Sequence, residues 1–178
     1  FTLMLRHLRL SLSLLGLTGF HFFISGQPHE SLTIENGLSQ GFVSSIIQDH
    51  MGFMWIATID GLNRYDGVSF KVFRHNAADS FSLPADRVRY GFEDSNDLIW
   101  TITEGGISCY ESQNERYYSF DFYKKLSQVE RLDLSRMMEL KYGEYCIFSS
   151  DTVYFIEIEH KNQIKPENIN RFQFKKYG

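Results

Sequence analysis

Proline is nearly absent, with three residues in 178, too few for a collagen-like or polyproline chain. Cysteine is scarcer still: Cys109 and Cys146 stand alone, and no CxxC spacing exists to hold zinc or a redox dithiol. Positive charge is not concentrated anywhere. Lys and Arg number 18 against 22 Asp and Glu, for a net charge of -4, so nucleic acid is not the natural partner of this region. Apolar runs are too short to span a bilayer, which takes about 20 residues; the longest, Leu10 to Ile24, is interrupted by His21.

What the chain has in quantity is aromatic surface. Sixteen Phe and ten Tyr, within 43% hydrophobic residues, are enough for a buried core. Flat side chains suit a pleated sheet better than a helix, so the expected class is all-β.

The N-terminus follows the grammar of an export signal. Arg6, His7 and Arg9 precede the apolar run, no acid occurs before Glu30, and small or polar residues follow at Ser25, Gly26 and Gln27. Residues 1–26 are therefore read as a cleaved signal peptide. The chain opens on Phe1, with the first plausible start at Met4, so it is expected to be a fragment of a longer protein. Removing the signal takes away Arg6 and Arg9 and no acid, leaving a more acidic exported product. In an oxidising compartment Cys109 and Cys146 could form one bridge. Each lies inside an apolar run, however, which favours two buried structural thiols.

An internal repeat organises the rest. A shift of 45 superposes Leu38 on Leu83, Val43 on Val88, Asp49 on Asp94, Trp55 on Trp100, Thr58 on Thr103, Gly61 on Gly106 and Tyr65 on Tyr110. These seven identities need no gap, where average residue usage gives roughly two by chance. Turn residues divide the first unit into strands at 43–48, 53–58, 62–65 and 69–74, with Asp60-Gly61 and Asp66-Gly67 as hairpin turns. Four antiparallel strands in about 45 residues is the size of one β-propeller blade, which needs neighbours to cover its apolar faces. Trp55 and Trp100 are expected between blades. A third, degraded copy places Tyr145 under Trp100 and Phe155 under Tyr110, with an outer strand at Phe172-Gln173-Phe174. Its charged approach, from Phe120 to Leu140, reads as helical or irregular, forming the link and first strand. The expected architecture is an incomplete propeller: blade 1 at 37–80, blade 2 at 81–122, a degenerate blade 3 at 123–178. A strand within 27–36 would close the last blade.

The strings Gly37-Leu38-Ser39, Ile46-Ile47-Gln48-Asp49, Gly52-Phe53-Met54-Trp55-Ile56-Ala57-Thr58 and Asp60-Gly61-Leu62-Asn63-Arg64-Tyr65-Asp66-Gly67 closely resemble the two-component regulator propeller repeat. The resemblance covers about residues 30 to 120. The second copy departs at Thr101-Ile102 and Cys109, and the third is barely recognisable. It implies the periplasmic opening of a large sensor of the Bacteroidetes type, with further propellers, a β-sandwich, one membrane helix and a cytoplasmic histidine kinase. It further implies a carbohydrate-fragment ligand and a homodimeric parent. None of the kinase machinery is encoded here, and His29, His50, His75 and His160 lack a dimerisation-helix context.

No residue pattern in the chain assigns a catalytic step. Asp94-Ser95-Asn96-Asp97 suggests a calcium loop but lacks the glycine and distal Glu of one, so it reads as a turn. Glu93 and Asp94 point to opposite faces of a strand and cannot act as an acid and base pair. No cofactor or metal is expected. Loops between second and third strands, and the links between blades, converge at a propeller rim. Asp60, Asn63, Arg87 and Glu104 are the candidate ligand-binding residues there. Competing readings are a secreted propeller enzyme, a lyase or glycosidase, and a protein-binding propeller.

Overall fold

A computed structural model describes residues 31–120, 134–150, 152–158 and 172–177, the last of these by backbone alone. The chain divides into two units, Phe1–Ser31 and Leu32–Gly178. All but one residue of the first lies outside the described residues, and with it the expected signal peptide. The second unit is all-β: three antiparallel sheets of four strands, each joined in chain order. The first holds β1 (Val43–Gln48), β2 (Met54–Thr58), β3 (Gly61–Tyr65) and β4 (Phe70–Phe73). The second holds β5 (Val88–Glu93), β6 (Ile99–Thr103), β7 (Gly106–Glu111) and β8 (Arg116–Phe120). The third holds β9 (Arg136–Lys141), β10 (Glu144–Phe148), β11 (Val153–Ile158) and β12 (Phe172–Tyr177).

Each blade of the clear repeat is built on the same side-chain chemistry. Asp49 closes the β1–β2 turn by accepting the backbone N–H groups of Met51 and Phe53 on Oδ1, and its Oδ2 accepts the Trp55 indole Nε1–H at 2.7 Å. Asp94 does the same for Asn96, Leu98 and the Trp100 indole, again at 2.7 Å. One carboxylate thus satisfies two turn donors that no ladder could reach and the single polar atom of a buried Trp. At the next hairpin, Thr58 Oγ1 donates to Gly61 O and accepts from Asp60 N, as Thr103 does with Gly106 and Gly105. Gly61 sits at φ +111°, where an added Cβ would collide with the Phe73 carbonyl oxygen, so only glycine fits.

The blades pack face to face. Between the first and second lie Trp55, Ala57, Leu62, Leu83, Val88, Ile99, Tyr110 and Tyr117. Between the second and third lie Trp100, Ile102, Ile107, Cys109, Phe120, Leu134, Met137, Tyr145 and Ile147, among others. Trp55 stands edge-on to Tyr110 at 5.1 Å, and Trp100 lies 5.2 Å from Tyr145. Burying such a ring removes 150–250 Å² from water, roughly 4–6 kcal/mol of transfer free energy before ordering costs. Both cysteines are free and buried, and burial pushes each thiol above its ordinary pKa.

One expectation needs correcting in detail, and another is met where the chain is described. The closing strand expected within 27–36 does not reach its end as a strand. Ile34–Asn36 is a 3-10 turn instead, because Thr33 and Asn36 form a reciprocal capping box and Gly37 takes φ 106° behind it; residues 27–30 lie outside the described residues. The first strand expected in the approach to the third blade is present. Phe120 ends β8 as a buried residue and Arg136–Lys141 is a strand, in which Met137 alternates inward against solvent-facing neighbours and the ladder to β10 skips Leu140. Residues 121–133 lie outside the described residues.

Candidate functional site

At the edge where β1 and β5 begin, a cleft of about 310 Å³ opens between the first two blades. It is lined by Phe42, Ser44, Ile59, Arg87, Val88, Arg89 and Glu104. The strands shape it through a repeated irregularity. The β1–β2 ladder skips one residue between Val43 and Ser45, and the β5–β6 ladder skips one between Val88 and Tyr90. Such a bulge re-aims the skipped side chain, and the two skipped residues, Ser44 and Arg89, both line the cleft.

The loops around the cleft are pinned by backbone bonds. Gly61 N–H donates to Asp86 O at 2.7 Å, and Glu104 N–H donates to Arg87 O at 3.2 Å. Each second-to-third-strand hairpin is therefore fastened to the link entering the second blade. Ser44 Oγ donates across the blade junction to Val88 O at 2.6 Å. Over this frame stand the charges: Arg87 Nε and Arg89 Nη2 each lie 3.6 Å from Glu104 Oε1. All three side chains are near half exposure. Phe42 is 60% exposed and offers an aromatic face to the same space. Two guanidinium forks, a carboxylate and a ring are groups that hydrogen-bond and stack on a polyhydroxylated ligand.

Of the four candidate residues, the structure brings together Arg87 and Glu104. Asp60 lies one residue from Ile59 but turns to Arg74, with Oδ2 and Nη2 at 3.0 Å; the bond to Asp60 raises the Arg74 pKa. Asn63 stands apart. It is fully buried on β3, where its amide donates to Ser39 Oγ and Ile56 O and accepts from Ser39 N, fastening the Gly37–Ser39 segment to the first blade. Sequence reasoning passed over Arg89, Ser44 and Phe42. The Arg87 and Arg89 alternation was visible, but the bulge that turns Arg89 into the cleft has no residue signature.

Residues 37–60 match the family model described as two component regulator propeller. Over 54 residues the chain is 48% identical to Histidine kinase P4 of Formosa agariphila, a stretch covering 30% of this chain and 4% of that protein. It therefore spans a small part of the relative it matches. Among solved structures, the extracellular domain of a hybrid two component system from B. thetaiotaomicron superposes with a TM-score of 0.64 at 23% identity, over 72% of this chain and 19% of that one. The extracellular domain of a one component system from the same organism gives 0.58 at 18% identity, with the same coverage. Residues 37–60 are thus similar to a two component regulator propeller repeat, and the described blades share the fold of these extracellular sensor domains.

Proposed function

We propose that these blades belong to the extracytoplasmic ligand-sensing region of a two-component sensor, and that they take no part in catalysis. The observation that carries this reading is the 48% identity, over 54 residues, to a histidine kinase. In it, residues 1–26 are the export signal, and the units 37–80, 81–122 and 123–178 are the opening blades of a propeller in a homodimeric parent. The cleft between the first two blades takes a carbohydrate fragment, with Arg87 and Glu104 bonding hydroxyl groups and Phe42 packing under a sugar ring. Asp60 supports the rim through Arg74.

Oligosaccharide binding to the exported part of the protein, measured by calorimetry, tests this. A bound saccharide is expected, weakened about tenfold, or roughly 1.4 kcal/mol, by Arg87→Ala or Glu104→Ala. A saccharide that binds equally well to both variants would move the site elsewhere. Binding of a peptide or protein and of no saccharide would favour a protein-binding propeller.

A further inference from the structure

At the opposite end of the same strands, where β1 ends, three side chains from two blades converge. His50 stands in the β1–β2 turn, Glu93 ends β5 and Asp97 lies in the β5–β6 turn, and one ligand atom from each falls within 4.8 Å of the others. His50 Nδ1 is 2.6 Å from Glu93 Oε1 and 3.4 Å from Asp97 Oδ1. The His50 backbone N–H donates to Glu93 Oε2 at 2.8 Å, which fixes that carboxylate in place.

The next junction separates what a blade clasp needs from what is extra here. There Ser95, in register with His50, donates its backbone N–H and its hydroxyl to Glu139, both at 2.8 Å. A glutamate holding the preceding turn by two bonds is thus sufficient to join blades, with no imidazole and no second carboxylate. The first junction adds both. The 45-residue counterpart of Asp97 is Tyr142, which is no ligand. Among the described residues, the ion pairs of Glu93 and Asp97 are with His50 alone, so two carboxylates face one imidazole and no Lys or Arg offsets them. Asp49, in the same turn, adds a further negative charge.

We propose that His50 Nδ1, Glu93 and Asp97 form a divalent-cation site that bridges the first two blades, of the zinc class and completed by water. One imidazole nitrogen with two carboxylate oxygens is a donor set zinc accepts, whereas magnesium and calcium prefer oxygen alone. Bonds of about 2.0 Å in a tetrahedron place ligand atoms about 3.3 Å apart. The His50 to Asp97 spacing already meets this, and the His50 to Glu93 contact opens as the cation enters between them. The imidazole then carries its proton on Nε2. The site owes nothing to the carbohydrate cleft and stands or falls separately from it.

Calorimetric titration of the full chain with Zn²⁺ alone, with Mg²⁺ and Ca²⁺ in parallel, tests the site. Losing even an outer-shell partner weakens metal binding by about 10–100-fold, so His50→Asn and Asp97→Asn should each cost at least that. Both side chains are half exposed or more, which favours folded variants. A second readout needs no variant: on Zn²⁺ addition the Nδ1 resonance of His50 should move to the coordinated range in nitrogen NMR. Absence of binding at millimolar Zn²⁺, equal binding by both variants, or an unmoved His50 resonance would overturn the proposal.

Discussion

Tyr145 donates its hydroxyl to Asp94 Oδ2 at 2.7 Å, the same oxygen that accepts the Trp100 indole proton at 2.7 Å. Tyr145 occupies the Trp position of the third blade, but its own hairpin has Glu139 where the other copies have Asp49 and Asp94. Glu139 is engaged with Ser95, so the buried ring of the third blade finds its polar partner one blade earlier. Burial drives the Tyr145 hydroxyl far above its ordinary pKa, keeping it a donor. The decay of the third copy thereby became a cross-blade bond.

Asp94→Ala leaves two turn amides, an indole and a phenol without their acceptor. Each buried orphan costs about 1–3 kcal/mol, so urea denaturation should report a loss of at least ~3 kcal/mol. Tyr145→Phe removes one donor and leaves the carboxylate satisfied by the others, for a loss of ~1 kcal/mol. Equal losses would mean that Asp94 serves only the third blade.

Tyr65 and Tyr110 share one repeat position and differ in burial. Tyr110 is fully buried against Trp55 and Phe73, whereas Tyr65 is half-buried beside Phe70. Tyr110→Ala should cost ~3–5 kcal/mol, as should Trp55→Ala. Tyr65→Ala should cost less than about half of that, since less apolar surface leaves water there. Thermal and chemical melts of the three variants give the order.

Gly61→Ala forces a side chain into φ +111° and against the Phe73 carbonyl. A loss above ~2 kcal/mol is expected, the backbone penalty and the collision together. Gly67→Ala, at φ +96° with open space around it, meets only the backbone penalty of ~1–2 kcal/mol. A milder effect at Gly61 than at Gly67 would show that the β3–β4 edge yields freely.

Lys71 Nζ and Glu115 Oε2, from the first and second blades, meet at 2.5 Å, and the hydrogen bond holds the Glu115 pKa below its ordinary 4.5. A depressed carboxylate stabilises the fold above its unfolded pKa, and that contribution is lost as pH falls through the lower folded value. The pair is near half exposure, so the effect is small and salt-sensitive. Carboxyl NMR titration should show the Glu115 pKa rising toward the ordinary value in Lys71→Met, with Arg64 still 3.6 Å from the same carboxylate.

The repeat period carried most of the fold because period-2 alternation, Asp-Gly turns and large rings at fixed spacing each arise from blade physics. Strands could be placed wherever a turn residue bounded them. The 3-10 turn at Ile34 was hidden because its capping box depends on the side chains of Thr33 and Asn36 meeting. Asn63 resembled an exposed loop residue, being two positions past Gly61, yet it lies within β3 on the face opposite Leu62, where Ser39 bonds it and it is fully buried. The His50, Glu93 and Asp97 cluster was invisible for another reason: His50 lies more than 40 residues from both carboxylates and meets them only when two blades pack.

The most direct measurement of the sensing role is phosphate transfer in membranes holding the full-length protein to which we assign these blades, with and without an oligosaccharide that binds its exported region. A phosphorylated histidine whose level changes on addition of that saccharide is the expected result. No phosphorylation, or a level indifferent to a saccharide that demonstrably occupies the blades, would contradict it.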